Sequence, residues 1–340
     1  MVAATPEPTQ AASPNQSPSL SDYASQLLPT ALARTGSAIE ILPDIALFQT
    51  VMVNLYMVGH AGSQDWVLID TGLPLFANKI IEAAEHRFGP GTSPKAIILT
   101  HGHFDHVGSL RALLDRWPVP VYAHVLELPY LTGRSDYPPP DPTVGGGLMA
   151  RTAKLFPSSA IHLGAHATPL PPDNSVPHMP GWRWVHTPGH TPGHVSLFRD
   201  ADRTLIAGDA FITQKQESLI GVMTQHQMMH GPPAYFTTDW NAAGQSVRTL
   251  ADLNPALALT GHGLPISGPP LTDGLQCLAD HFGEIATPPD GRYVRQPATA
   301  DATGVTSVPP PIPDPVPKIA AGIALAAVLG ITLAATRRRD

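Results

Sequence analysis

The sequence predicts a mixed α/β domain. Three observations carry that expectation. Short apolar runs separated by tight turns begin at Ile39, two amphipathic stretches alternate with further apolar runs between residues 76 and 123, and several later apolar runs end in a histidine or an aspartate. Strands joined by such short turns should pair antiparallel, and the amphipathic stretches should cover a face of the sheet.

Residues 1–37 are rich in Pro, Ala, Ser, Thr and Gln. They lack a positive n-region and a continuous apolar core, so they read as a disordered tail and not as a secretory signal. Strands are expected over 39–42, 45–48, 51–58 and 66–69, the last running into Asp70-Thr71-Gly72. Residues 76–88 place Ile80, Ile81, Ala84 and Phe88 at near-helical spacing before Gly89-Pro90, which predicts a helix. A buried strand over 96–99 follows, then a helix over 107–117 with Leu110, Leu113 and Leu114 on one side, and a strand over 119–123.

Residues 130–180 break this rhythm. Tyr137-Pro138-Pro139-Pro140, Gly145-Gly146-Gly147 and Pro169-Leu170-Pro171-Pro172 preclude long regular elements and leave room for one short helix over 148–156. Strands return over 182–185, 195–198 and 204–207. A helix over 240–253, a strand over 257–260 and a helix over 271–282 complete a domain spanning 38–285. The Pro-rich stretch 286–317 reads as a stiff linker.

The C-terminal segment 318–340 contains seventeen uncharged residues, 319–335, followed by Arg337, Arg338 and Arg339. A helix of that length spans roughly 26 Å against the ~30 Å of a hydrocarbon core, enough for a single hydrophobic helix acting as a membrane anchor. Gly322, Ala326 and Gly330 form a small-residue face suited to helix-mediated self-association. Without an export signal the domain is expected in the cytoplasm, held by a C-terminal tail anchor.

Charge and cysteine content exclude whole classes of function. Twenty basic against 27 acidic residues give a net charge of −7, and Arg337–Arg339 is the one basic cluster, so neither a nucleic-acid partner nor a polyanionic substrate is expected. A single cysteine, Cys277, rules out an intrachain disulfide framework and a thiolate-rich zinc site. Its setting between Leu275 and Leu278 predicts a buried, inert thiol.

The chemistry concentrates in residues 100–108, THGHFDHVG, at the end of the strand over 96–99. His101, His103, Asp105 and His106 offer imidazole nitrogens and a carboxylate, the usual ligands of zinc and similar divalent ions. A loop leaving a rigid strand aims several of them at one point. His190 lies in TPGHTPGH, residues 187–194, whose prolines and glycines hold a tight turn. Asp209 ends the run 204–209 and His262 ends the run 257–262, so three strands finish in candidate metal ligands. Asp70, just after its own strand, is expected to hydrogen-bond a ligand histidine or its loop. His186 and His194 are assigned to structural hydrogen bonding.

Taken together, VNLY at 53–56, LIDTG at 68–72, residues 100–108, residues 187–194, Gly208-Asp209 and Thr260-Gly261-His262 resemble, in order, the motifs of the metallo-β-lactamase-fold hydrolase superfamily over residues 39–284. The resemblance implies a four-layer αββα sandwich of two mixed sheets with the site at one edge. It implies that His101, His103 and His190 bind one divalent metal and Asp105, His106 and His262 a second, with Asp209 bridging. The ions would be zinc, with manganese or iron as alternatives. Two such ions lower the pKa of a shared water and present hydroxide to an ester, thioester or lactone of a small molecule. Asp105 would also orient the nucleophile or relay a proton.

Lactam hydrolysis is disfavoured, because lactam hydrolases of this family often use a cysteine ligand or lack the bridging aspartate. The resemblance is to the glyoxalase-II-like, lactonase and methyl-parathion-hydrolase-like branch. Substrate choice is expected in the loops over 130–180 and 213–236, with Met223, Met228, Met229, Tyr235 and Phe236 forming an apolar wall or, for the methionines, ordinary core packing, Lys215 and Tyr235 as substrate contacts or Lys215 as a solvated surface residue, and Gly145–Gly147 as a lid hinge or simply a turn. Two other functions fit the same chain: a mononuclear iron enzyme of the persulfide-dioxygenase type, and an idle, membrane-anchored binding protein.

Overall fold

Alternation along the early strands decides how the chain layers. In the computed structural model, which describes residues 35–313, every residue of β2 (Ile45–Thr50) and β3 (Val53–Val58) is buried. Ile45, Leu47, Tyr56 and Val58 enter one apolar cluster, and Ala46, Phe48, Leu55 and Met57 enter another. The two-residue period of a strand sends these sets to opposite faces, so the sheet is packed on both sides.

Around these two strands, β1 (Ala38–Leu42), β4 (Val67–Ile69), β5 (Ile97–Ile98), β6 (Val121–Ala123) and β7 (Ala167–Pro169) complete a seven-stranded sheet in sequence order. Strands β1 to β4 pair antiparallel, and β4 to β7 pair in parallel. Parallel neighbours need long crossovers. The first two are made by α1 (Ala77–Phe88) and α2 (Leu110–Arg116), whose Ile80, Ala84, Phe88, Leu110 and Leu113 join the outer cluster with Phe48, Leu55 and Leu68. Trp66 fills the space between them, stacked on Phe88 at 4.4 Å and edge-on to Trp117 at 5.6 Å.

The 124–181 region carries short helices, α3 (Leu128–Leu131) and α4 (Leu148–Arg151), before the second sheet forms. That sheet has β8 (Trp182–His186), β9 (Val195–Arg199), β10 (Thr204–Gly208), β11 (Leu257–Thr260) and β12 (Ile266–Ser267), in the order β12-β11-β10-β9-β8. Only β10 and β11 run parallel within it. Between them lie α5 (Leu219–Thr224) and the crossover helix α6 (Trp240–Asp252).

Val195, Leu197, Ile206, Leu257 and Leu259 face Ile45, Leu47, Val67, Ile69 and Ile98 in one shared layer between the sheets. On the outer side Phe198, Leu205, Ala207 and Ala258 cluster with Val247 and Leu250 of α6 and with Leu271, Leu275 and Leu278 of α7 (Pro269–Asp280). Helices therefore cover both outer faces of a stacked pair of mixed sheets.

Several expectations are corrected by the fold. Cys277 is exposed, not buried. Leu271, Leu275 and Leu278 set the buried stripe of α7 at helical spacing, which turns position 277 outward. After the short helix α8 (Phe282–Ile285), the stretch expected as a stiff linker holds the short helix α9 (Arg292–Arg295) and a hairpin of β13 (Thr299–Asp301) and β14 (Gly304–Ser307). It is bonded to the domain through Tyr293 Oη to the Pro139 carbonyl at 2.6 Å, Arg292 N to Asp141 Oδ2 at 2.6 Å and Val305 N to Ser135 Oγ at 3.0 Å. The short strands β7 and β12 also escaped the periodicity, because two or three residues carry no readable pattern. No helix among the described residues is long and apolar enough to cross a membrane, and the anchor expected over 319–335 lies outside them.

Leu259 is fully buried in the inter-sheet layer. Leu259→Ala is expected to cost about 2–5 kcal/mol of stability, read from urea denaturation.

Candidate metal centre

The carboxyl-terminal ends of four strands reach one edge of the two sheets. β4 leads into Asp70, β5 into the loop holding His101, His103, Asp105 and His106, β10 into Asp209, and β11 into His262. The turn between β8 and β9 adds His190. All seven predicted ligand residues are buried, with Asp105 the most accessible at 8%.

These side chains converge. Asp209 Oδ2 lies 3.1 Å from His262 Nε2, 3.4 Å from His190 Nε2 and 3.5 Å from His106 Nε2. His262 Nε2 is 3.6 Å from Asp105 Oδ2, and His103 Nδ1 is 2.9 Å from His190 Nε2. Three sets of potential ligand atoms each fall within 4.8 Å of one another: His101, His103 and His190; His101, His106 and Asp209; and Asp105, His106 and His262. Gly261 is needed for this closeness, since a Cβ there would sit 2.0 Å from Asp209 Oδ1.

Hydrogen bonds behind the rings settle which nitrogen faces inward. His106 Nδ1 donates to Asp70 Oδ2 at 2.9 Å, and His262 Nδ1 donates to the Met52 carbonyl at 2.8 Å. His101 Nδ1 faces Thr100 Oγ1 at 3.1 Å, and that hydroxyl gives its own proton to Asp70 Oδ2 at 2.8 Å. His190 Nδ1 faces Thr237 Oγ1 at 3.3 Å, whose proton goes to the Pro233 carbonyl. Each of these four rings is therefore held from behind at Nδ1 and points Nε2 at the centre, the orientation a metal ligand needs.

Electrostatics divides the cluster. Burial, with the charge of neighbouring histidines, holds His101 and His190 well below the usual imidazole range and His103 down at about 3. Burial acts the same way on His106 and His262, but the Asp209 carboxylate outweighs it and raises both. Burial alone would lift Asp209, yet His262 and His106 hold it well below the carboxylate range, whereas burial wins at Asp105 and raises it.

A divalent cation fits this donor set. His101 Nε2, His106 Nε2 and Asp209 Oδ1 are buried with no hydrogen-bond partner among the described residues, a costly condition for polar atoms. Imidazole and carboxylate without thiolate suit zinc, manganese or iron.

The supports expected from the sequence take definite places. Asp70, at φ 58°, accepts from Thr100 N and Thr100 Oγ1 at 2.8 Å each and from His106. His194 lies outside the ligand sets: its Nε2 accepts from the Asp209 backbone N–H at 2.9 Å, and its Nδ1 donates to Thr187 Oγ1 at 2.8 Å. His186 bonds the Pro192 carbonyl at 2.9 Å and stacks on His124.

The substrate contacts divide. Tyr235 is buried, hydrogen-bonds with Gln216, and feels the Asp105 charge, which with burial raises its phenol. Phe236 stacks on His103 at 4.5 Å and adjoins Phe104 and Phe156. Lys215 is half-buried ahead of α5. Met223 and Met228 are exposed, so they do not form the apolar wall, and Met229 packs near Gly274 of α7.

Sequence reasoning passed over Glu127, Tyr137 and the hydroxyl chain behind His194, in which Thr187 Oγ1 meets Ser196 Oγ at 3.1 Å and Ser196 donates to the Ala207 carbonyl. An acidic residue inside the apolar run VLELPYL was the available signal for Glu127.

Comparison with known proteins agrees with this geometry. Residues 49–262 match the model of the metallo-beta-lactamase superfamily. The chain is 45% identical over 259 residues to the Bacillus subtilis protein "Probable metallo-hydrolase YflN", covering 76% of this chain and 98% of that one. It is 33% identical over 199 residues to the same organism's "Probable metallo-hydrolase YybB", covering 58% and 76%. A beta-lactamase domain protein from Burkholderia ambifaria shares the fold with a TM-score of 0.50 at 21% identity, over 73% of this chain and 76% of that one. The chain belongs to the metallo-β-lactamase superfamily, whose hydrolase fold it carries.

Asp70→Asn is expected to leave the fold intact and to lower divalent-metal affinity about 10–100-fold, because His106 loses the acceptor that fixes its ring. Calorimetric titration of the metal-stripped variant with zinc checks this, and unchanged affinity would remove Asp70 from the account.

Proposed function

We propose that this chain is a dinuclear metal-dependent hydrolase that cleaves an ester, thioester or lactone of a small molecule. The observation that carries the reading is the position of Asp209 Oδ2, within 3.1–3.5 Å of three imidazole Nε2 atoms that belong to two different candidate ligand triplets. His101, His103 and His190 would hold one ion, Asp105, His106 and His262 the other, and Asp209 both. Two such ions supply an activated water near neutral pH and polarise the scissile carbonyl.

The chain's own residues complete the reading. Asp105 is the most accessible of the seven, and burial raises its carboxyl, so its Oδ atoms are suited to taking a proton and passing it to the leaving group. Tyr235, kept protonated by burial and by Asp105, is a hydrogen-bond donor for the substrate. Phe104, Phe156 and Phe236 supply an apolar surface beside His103, and Lys215 is assigned to an anionic substituent.

Metal analysis of the purified protein is expected to give about two ions per chain, and a panel of thioesters, lactones and phosphotriesters to show hydrolysis. Asp209→Ala should abolish that hydrolysis and release metal. Full activity in Asp209→Ala, or one iron per chain with oxygen consumption, would contradict the reading.

A further inference from the structure

Glu127 has no part in either ligand triplet, yet its fully buried carboxylate joins the two loops that carry His101, His103 and His190. It lies just before α3. Oε2 accepts from the Gly102 N–H at 3.0 Å and from the Tyr137 hydroxyl, and Oε1 accepts from the Thr191 hydroxyl at 2.7 Å and the Gly193 N–H at 2.9 Å. Gly102 stands between His101 and His103, while Thr191 and Gly193 follow His190 by one and three residues. Four donors and no acceptor surround the group, as an ionised carboxylate requires.

The surroundings leave little freedom. A Cβ at Gly102 would sit 2.7 Å from Tyr137 Oη, and one at Gly193 would sit 2.8 Å from Glu127 Cγ, so both loops close tightly on this carboxylate. Tyr137 adds a second link, because its hydroxyl also accepts from Gly102 N–H at 2.9 Å and its ring lies 4.7 Å from that of His103. The other triplet is supported from elsewhere: His106 by Asp70, and His262 by the Met52 carbonyl.

We propose that Glu127 is a positioning residue for one half of the centre. It sets the spacing of His101, His103 and His190 and thereby the affinity of that triplet for its ion, and it leaves the Asp105–His106–His262 triplet unaffected. The inference rests on the two-metal reading given above. Glu127→Gln is the informative change, since its amide places an NH2 group against a side of the pocket lined by donors.

Metal-stripped wild type, Glu127→Gln and Thr191→Val are titrated with cobalt(II), with bound ions counted by native mass spectrometry and their ligand field read from the visible spectrum. Melting of the metal-free proteins is followed by circular dichroism. Wild type is expected to take two ions. Glu127→Gln should weaken one of them about 10–100-fold and keep the other, and Thr191→Val should move the same ion by less. If Glu127→Gln does not fold, Thr191→Val decides alone. Wild-type affinity at both positions, or equal loss at both, would overturn the proposal. A wild type that binds one ion contradicts the two-metal reading instead, and weakening of that ion in the variants then still supports the role of Glu127.

Discussion

A carboxylate that water cannot reach must be neutralised by something within the fold, and Asp209 imposes that demand here. Its side chain is buried at 1% exposure, one oxygen has no hydrogen-bond partner among the described residues, and the other faces three imidazoles. Isolated charge in such a place is strongly disfavoured. The five histidines cannot all answer it by taking protons, because burial drives His101, His103 and His190 toward the neutral form. His106 and His262 answer it in part, and a divalent cation would satisfy the carboxylate together with the unpartnered Nε2 atoms of His101 and His106, which suits the centre to metal.

The two sheets exist in a relation that serves this point. Parallel pairing of β4 with β5 and of β10 with β11 brings pairs of strand ends to the same edge, so Asp70 lies beside the histidine loop and Asp209 beside His262. Asn54 fastens the sheets to each other there, its Nδ2 donating to the Thr260 carbonyl at 2.9 Å and the Gly263 carbonyl at 2.7 Å. Small residues do the rest, as at Gly261, where the chain passes too close to Asp209 for a side chain.

Much of this is legible in the sequence. The candidate ligands announce themselves because apolar runs stopping at His or Asp, and a proline-glycine turn around His190, are local patterns, and the structure brings all seven side chains together. What stayed hidden depends on distant segments meeting. Glu127 gains its meaning only when residues 102 and 191–193 close on it, and the ordered C-terminal hairpin is disguised by a Pro-rich composition that reads as linker. Cys277 is exposed because its apolar neighbours in sequence are not its neighbours on the helix. The methionines of α5 and the loop after it failed for the same reason: hydrophobic type says nothing about which side of a short segment faces the core.

The loops that frame the centre are held more firmly than their composition suggests. Residues 133–144 are bonded to the 291–309 segment, and the glycines at 146 and 147 pack against Glu217, so the approach to the centre is shaped by contacts between the two irregular regions and the C-terminal part of the domain. The most direct test of the central claim is an anomalous-scattering map from crystals of the zinc-loaded protein. Two peaks are predicted, one among His101, His103 and His190 and one among Asp105, His106 and His262, with Asp209 between them. A single peak, or peaks away from these residues, would contradict it.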